Sequence, residues 1–284
     1  MQEKKSMSGH SRRRFIQQIS LATLAVMGRP LQHLSAQEVA DRQEEVLWRF
    51  AVASDIHYGQ PNTSYKEMTQ TVLRQINQFH SEFPLTCCVF NGDLIHDKPA
   101  FLPELKNEFA QLQIDWYVTR GNHDQVSAQQ WRDTFGYSLN HRIELQQATL
   151  ILADTSNEKG EYLSPDLNWL KEQLDLSAKA NHVFIFLHIP QAPWTKNSID
   201  TPALFDLIKR YPNIRAVFHG HEHDQDGIRK VASVPFIFDA HVGGNWGTPY
   251  RGFRVVEMLK NNELVSYMMN PTEKINAEKW SIYS

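Results

Sequence analysis

Eight side chains able to bind a metal or carry a proton stand at the ends of apolar stretches. They are Asp55 and His57 in "SDIH", Asp93 in "NGDLIHD", Asn122 and His123 in "GNHD", His188 after "HVFIFL", and His221 and His223 in "HGHEH". Alone, each fragment has an ordinary explanation: Asn-Gly-Asp is turn composition, and a single histidine behind an apolar strand is usually a hydrogen-bonded core residue. The "HGHEH" run is more specific, because histidines two apart in an extended segment project to the same side. The ordered set is more specific still. Carboxylate, imidazole and amide oxygen suit iron, manganese or zinc, and a carboxylate can bridge two such cations. Two divalent ions about 3.5 to 4 Å apart can clamp a phosphate and activate a water. Only Asp55 and Asp93 offset the metal charge, so the cluster would remain net positive toward an anion.

The elements that must position these residues follow a strand, loop, helix rhythm. "VLWRFAVAS" reads as a strand, and Ser64 to Glu82 as a helix with Met68, Val72, Leu73, Ile76 and Phe79 on one face. "LTCCVFN" and "DWYVTR" read as strands, with helices over residues 102–112 and 128–135. "RIEL" and "ATLILAD" read as paired strands, followed by a helix over residues 165–178, the strand "HVFIFL", a helix over residues 202–210 and the strand "IRAVF". Near-continuous apolar strands between helices imply sheets covered on both faces. Five of these strands each deliver a metal-capable group at the carboxyl end, where α/β folds bind ligands. The last third lacks helices: "GIRKVAS", "PFIFD", "RGFRVVEML" and "ELVSYMM" predict a second sheet of mixed direction. One domain over residues 46–270, with a polar tail at 271–284, accounts for the pattern.

Of 284 residues 41% are apolar and 21% charged, enough for a full core. With 29 basic and 32 acidic side chains there is no strong positive field, so no nucleic-acid polymer is expected as partner. Cys87 and Cys88 are adjacent and point to opposite faces of a strand, so they read as packing residues rather than a disulfide. The N-terminus differs from the rest: "SRRRFI", Ser11 to Ile16, precedes the short apolar "ISLATLAVM". That pattern resembles a twin-arginine export signal over residues 1–36, which predicts export to the periplasm or beyond and a linker at residues 37–45. The apolar stretch is too short for a stable membrane span. Loss of residues 1–36 removes six positive side chains and one negative, taking the net charge from −3 to −8. An anionic substrate would then rely on bound metal for attraction.

The blocks "DIH", "GD", "GNHD", the histidine of "LHIP" and "GHEH" occur in the order of the signature of the calcineurin-like metallophosphoesterases, which the chain resembles from Asp55 to His223. The resemblance implies a four-layer α/β/β/α sandwich with a dimetal centre at the strand ends. It further implies that Asp55, His57 and His223 bind one metal, Asn122, His188 and His221 the second, and that Asp93 bridges both. His123 would bind phosphate and protonate the leaving oxygen, while Asp124 would cap the following helix or brace the loop. Purple acid phosphatases carry a tyrosine three residues after the bridging aspartate, and protein serine/threonine phosphatases carry there an aspartate that partners the catalytic histidine. Here that position is His96, so neither is expected. "GDLIHDKP" is similar instead to the DNA-repair nucleases of the family, in which this histidine is catalytic; His96 either joins the catalytic set or is a surface loop residue. The short chain resembles the bacterial phosphodiesterases that include class III cyclic nucleotide enzymes. A small phosphodiester is therefore the expected substrate, with a phosphomonoester of nucleotide or sugar type as the alternative and a non-catalytic scaffold as a third reading. The glycine-rich "DAHVGGNWGTPYRG" offers His241 and Trp246 as substrate contacts, or else Trp246 packs in the core; "WTKN", Trp194 to Asn197, is a second candidate rim.

Overall fold

The computed structural model describes residues 9–26, 29–239 and 241–269. The tail at 271–284 and the start of the expected leader lie outside the described residues. In chain order the first elements are α1 (Gly9–Gln18), β1 (Ile19–Ala25), β2 (Gln32–Leu34), α2 (Ala36–Asp41), β3 (Val46–Ala53), α3 (Tyr65–Glu82), β4 (Cys87–Asn91), α4 (Phe101–Phe109), β5 (Asp115–Thr119) and α5 (Ala128–Phe135). There follow β6 (His141–Glu144), β7 (Thr149–Ala153), α6 (Leu167–Leu176), β8 (Val183–Leu187), α7 (Pro202–Ile208), β9 (Ile214–His219), β10 (Ile228–Val231), β11 (Val234–Phe238), β12 (Phe253–Leu259) and β13 (Leu264–Met269).

These strands make two sheets packed face to face. One has the order β2-β1-β13-β12-β3-β4-β5 and the other β10-β11-β9-β8-β7-β6. Residue alternation decides which side chain enters which layer. In β3, Trp48, Phe50 and Val52 join Phe184, Phe186 and Phe218 in the core between the sheets. Ala51 and Ala53 turn the other way, under Val72, Ile76 and Phe79 of α3. On the far side, Leu170 and Leu174 of α6 and Leu204 of α7 cover Ile151, Ile185 and Leu187. The result is the four-layer α/β/β/α sandwich. Cys87 and Cys88 fall in different cores as the alternation requires, and both are free; burial pushes the Cys87 thiol up to about 12.

The last four strands depart from the expected second sheet. β10 and β11 extend the sheet of β9, whereas β12 and β13 cross to the other sheet and pair antiparallel beside β3. Helix-free connections allow either destination, and β12 is buried on both faces, with Val256 and Met258 between the sheets and Val255 and Leu259 under the helices.

The N-terminal segment packs onto the first sheet. β1 pairs antiparallel with β13, whose backbone edge would otherwise stand open, and Phe15 of α1 packs against Phe79, Phe83 and Tyr267. The stretch at 37–45, expected as a linker, holds short helical structure. Ser35 and Glu38 form a reciprocal capping box that starts α2, and a 3-10 turn, Gln43–Glu45, follows it. Among the described residues no helix is long and apolar enough to cross a membrane.

Candidate metal centre

The candidate ligands converge from both sheets. β3, β4 and β5 are parallel neighbours in one sheet, and Asp55 with His57, Asp93, and Asn122 with His123 follow their carboxyl ends. β8 and β9 are parallel neighbours in the other, and supply His188, His221 and His223. The loops that carry them are strained. Asp55, His57, Asp93 and His221 hold left-handed backbone, with φ of 55°, 47°, 48° and 70°. Each such residue costs about 1–3 kcal/mol, and such strain persists only where the surroundings over-determine the conformation. Here the loops are stitched together: the amide of Asp55 donates to the carbonyl of Gly92 at 3.0 Å and that of His57 to the carbonyl of Asp93 at 2.9 Å. A Cβ on Gly121 would lie 2.2 Å from Asp93 Oδ1, so only glycine lets the "GNHD" loop approach that carboxylate.

Two groups contain a carboxylate, the buried Asp55 with His57 and His223, and Asp93 with the buried His188 and the partly buried His221; a third, of His57, His96 and His123, is made of imidazoles alone. In the first, His57 Nε2 lies 3.0 Å from His223 Nε2, and His223 Nε2 lies 3.2 Å from Asp55 Oδ1. Asp93 stands between the groups: its Oδ2 is 3.6 Å from His57 Nε2 and 3.3 Å from His188 Nε2. Asn122 Oδ1 and His221 Nε2 are buried without hydrogen-bond partners. Partnerless buried acceptors and facing imidazole nitrogens are costly without a bound cation, so the donors fit a pair of metal ions. Outer hydrogen bonds aim the rings. His188 Nδ1 donates to the carbonyl of Asn91 at 2.7 Å, and His57 Nδ1 lies 3.0 Å from His96 Nδ1.

The electrostatics agree with the geometry. Burial holds His57 well below the usual imidazole range, and burial with the nearby His188 holds His221 at about 4, so both rings stay neutral and able to ligate. Burial alone would lower His188 too, yet Asp93 and Asp55 hold it up to about 10. Burial opposes ionisation of Asp93 as well, but His188 and His57 keep its carboxylate well below the ordinary range. Concentrated negative charge that draws a proton onto His188 would equally draw a cation.

His123 sits beside this centre. Its amide donates to Asp93 Oδ1 at 2.7 Å, and its Nδ1 lies 2.8 Å from Asp97 Oδ1. The expected absence of a carboxylate partner is thus corrected. Asp97, one residue beyond the position where serine/threonine phosphatases carry theirs, reaches His123 because its backbone is left-handed, with φ of 56°. His96 belongs to the site and not to a detached surface loop: its ring stacks on His123 at 4.8 Å with an 11° tilt. Asp124 braces the loop, accepting from the amides of Gly121 at 2.7 Å and Ile95 at 2.9 Å, and burial with the neighbouring Asp93 raises it to about 7. It does not cap α5, which Ser127 caps with Gln130 in a capping box.

The rim residues divide. Trp246 is not a core residue; it is 43% exposed and stacks on His223 at 4.3 Å with an 11° tilt. His241 is not available to a substrate. It is fully buried behind His223, with Nδ1 2.5 Å from the carbonyl of Gly243 and Nε2 3.1 Å from that of Thr248. Trp194 of "WTKN" packs against Phe205, Phe236 and Phe238 rather than forming a rim. Tyr162, which no sequence signal singled out, lies edge-on over His221 at 4.8 Å.

Strand ends that converge on paired aspartate and histidine groups, within a two-sheet sandwich flanked by helices, define a metallophosphoesterase. The model of the calcineurin-like phosphoesterase family matches residues 49–225, and the chain belongs to that family, a dimetal-dependent group of hydrolases that act on phosphate esters. A probable cyclic nucleotide phosphodiesterase of Vesicomyosocius okutanii is 26% identical over 216 residues, covering 69% of this chain and 91% of that protein. A 3',5'-cyclic-nucleotide phosphodiesterase of Nostoc is 28% identical over 174 residues, covering 57% of this chain and 64% of that protein. The fold is similar to that of a dimetal phosphatase from Danio rerio, with a TM-score of 0.60 at 16% identity over 76% of this chain and 94% of the other.

Proposed function

We propose that this chain hydrolyses small phosphodiesters, of cyclic-nucleotide or glycerophosphodiester type, with His123 as the acid that protonates the leaving oxygen. The pairing of His123 with Asp97 beside the Asp93-centred ligand groups carries the reading. Two bound cations, of iron, manganese or zinc, would supply the charge that clamps a phosphate and the acidification of a water. Asp55, His57 and His223 would hold one, Asn122, His188 and His221 the other, and Asp93 both. His123 directs Nδ1 to Asp97, which leaves Nε2 to face the substrate. Burial works against its protonation, while Asp93 and the hydrogen-bonded Asp97 favour it and raise it from the ordinary imidazole value. The similarity to cyclic nucleotide phosphodiesterases supports a diester over a monoester.

The test is hydrolysis of bis(p-nitrophenyl) phosphate against p-nitrophenyl phosphate, with manganese added and a chelator as control. Faster diester cleavage that the chelator abolishes is expected, and a preference for the monoester would replace the reading with a phosphatase. His123→Asn is expected to keep the metal content and lower the rate by roughly 10²-fold or more; an unchanged rate would remove His123 from the acid role. We also propose export through twin-arginine machinery, supported by "SRRRFI" and the apolar stretch behind it. Cell fractionation that finds the protein only in the cytoplasm would overturn that location.

A further inference from the structure

Two side chains stand over the metal centre with open aromatic surface. Among the described residues only Tyr162 and Trp246 are aromatic side chains as exposed as 40% and 43%, and each overlies a histidine of a different ligand group. Single exposed apolar side chains are ordinary on a protein surface, but these two rings are each seated on a histidine of a candidate ligand group.

The Trp246 platform is built. One face of the indole rests on His223, and its ring centre is 5.0 Å from that of His57 and 6.5 Å from that of His123. The loop beneath is pressed onto His223 so closely that a Cβ on Gly247 would meet His223 Cβ at 2.3 Å. Arg251 ties the loop from the other side by donating to the carbonyl of Gly244 at 2.6 Å. With one face on His223 and 43% of the side chain exposed, the indole keeps surface for a ligand. Asp93 lies 3.6 Å from His57, whose ring centre is 5.0 Å from that of the indole, so a phosphate held at Asp93 would carry its ester substituents near Trp246, while Tyr162 overlies His221 of the other group.

We propose that Trp246 is a nucleobase platform, and that the substrate class of this site is a phosphodiester bearing a nucleoside rather than a base-free glycerophosphodiester. The proposal rests on the phosphodiesterase reading and narrows it. Every nucleobase offers a flat π-face, and stacking one on an aromatic side chain is worth about 5- to 150-fold in binding. Trp246 is a specificity-determining residue in this scheme and takes no part in proton transfer.

The metal-loaded full chain tests it in two ways. In calorimetric titrations, AMP is expected to bind at least about tenfold more tightly than ribose 5-phosphate, the same phosphate without a base. Trp246→Ala should bring the two within about threefold, and Trp246→Phe should restore most of the difference. In hydrolysis, Trp246→Ala should lose at least about tenfold more in kcat/KM on 3',5'-cyclic AMP than on glycerophosphocholine. Equal losses on both diesters, or a wild-type protein that binds ribose 5-phosphate as well as AMP, would overturn the platform and leave Trp246 as a support for His223. Metal content is measured for each variant; should Trp246→Ala shed metal, the wild-type preference and Trp246→Phe decide. Failure of the broader reading is seen separately, as absence of chelator-sensitive cleavage of bis(p-nitrophenyl) phosphate, which leaves the AMP comparison unaffected.

Discussion

In the ligand group of Asp93, His188 and His221, the outer nitrogen of His188 is held at 2.7 Å by the main-chain carbonyl of Asn91, at the end of a strand buried in the sheet. In the group of Asp55, His57 and His223, the outer nitrogen of His57 leans on another side chain, His96, and that of His223 has only a longer contact, 3.4 Å, to the main-chain carbonyl of the half-exposed Trp246 in the glycine-rich loop. Main-chain anchors move only when the fold moves, whereas a side-chain anchor can rotate away. One cation would thus be held by the sheet, and the other by residues that line the substrate cleft. That difference ties the Asp93, His188 and His221 site to the scaffold and the Asp55, His57 and His223 site to the chemistry.

The comparison has a common element, and removing it has the largest expected effect. Asp93 approaches both groups, so Asp93→Asn keeps the shape but discards the charge that both share. The expected result is loss of both ions by elemental analysis and a fall in rate of roughly 10³-fold or more. Retention of one ion at full stoichiometry would show that Asp93 serves a single site.

His96→Ala separates the two sites. Outer partners of a ligating histidine typically contribute 10- to 100-fold in metal affinity or activity. Because His96 stands behind His57 alone, the variant should weaken one ion by about that factor and leave the other in place, so that titration with a chelator becomes biphasic. Equal weakening of both ions would erase the distinction between side-chain and main-chain anchors.

The ligand positions were legible because residue type and strand end coincide: Asp55, Asp93 and His188 each follow an apolar run that could only be a covered strand. The aspartate behind His123 was not legible. Its place depends on the left-handed turn at Asp97, and "IHDKP" gives no sign of which polar residue the turn will swing inward. Tyr162 was hidden for a similar reason, since it lies in a polar loop whose path over His221 is set by tertiary packing. His241 misled because a glycine-rich loop suggests exposure, yet the isolated pairing of Ser54 with His241 draws that residue under the site. For β12 and β13, alternation disclosed two buried faces but could not say which sheet would bury them.

Asp97→Asn gives the smallest effect and the sharpest reading of the His123 pair. Burial lowers the affinity of His123 for a proton, while Asp93 and Asp97 raise it, and the raising side wins. An acid must be protonated to act, so the rate should be full below the raised value and fall as pH climbs through it. Replacing the Asp97 carboxylate with an amide removes one of the two raising influences, and the alkaline fall should move to lower pH. An amide can still accept the Nδ1 hydrogen bond, so the ring stays aimed and the plateau rate should drop only about tenfold, less than the loss of the acid itself. Metal content should change little, because Asp97 contacts His123 and, at 3.7 Å, His96, but none of the proposed ligands. A pH–rate profile that keeps its alkaline limb in Asp97→Asn would assign that limb to another group and leave Asp97 as a brace for the loop.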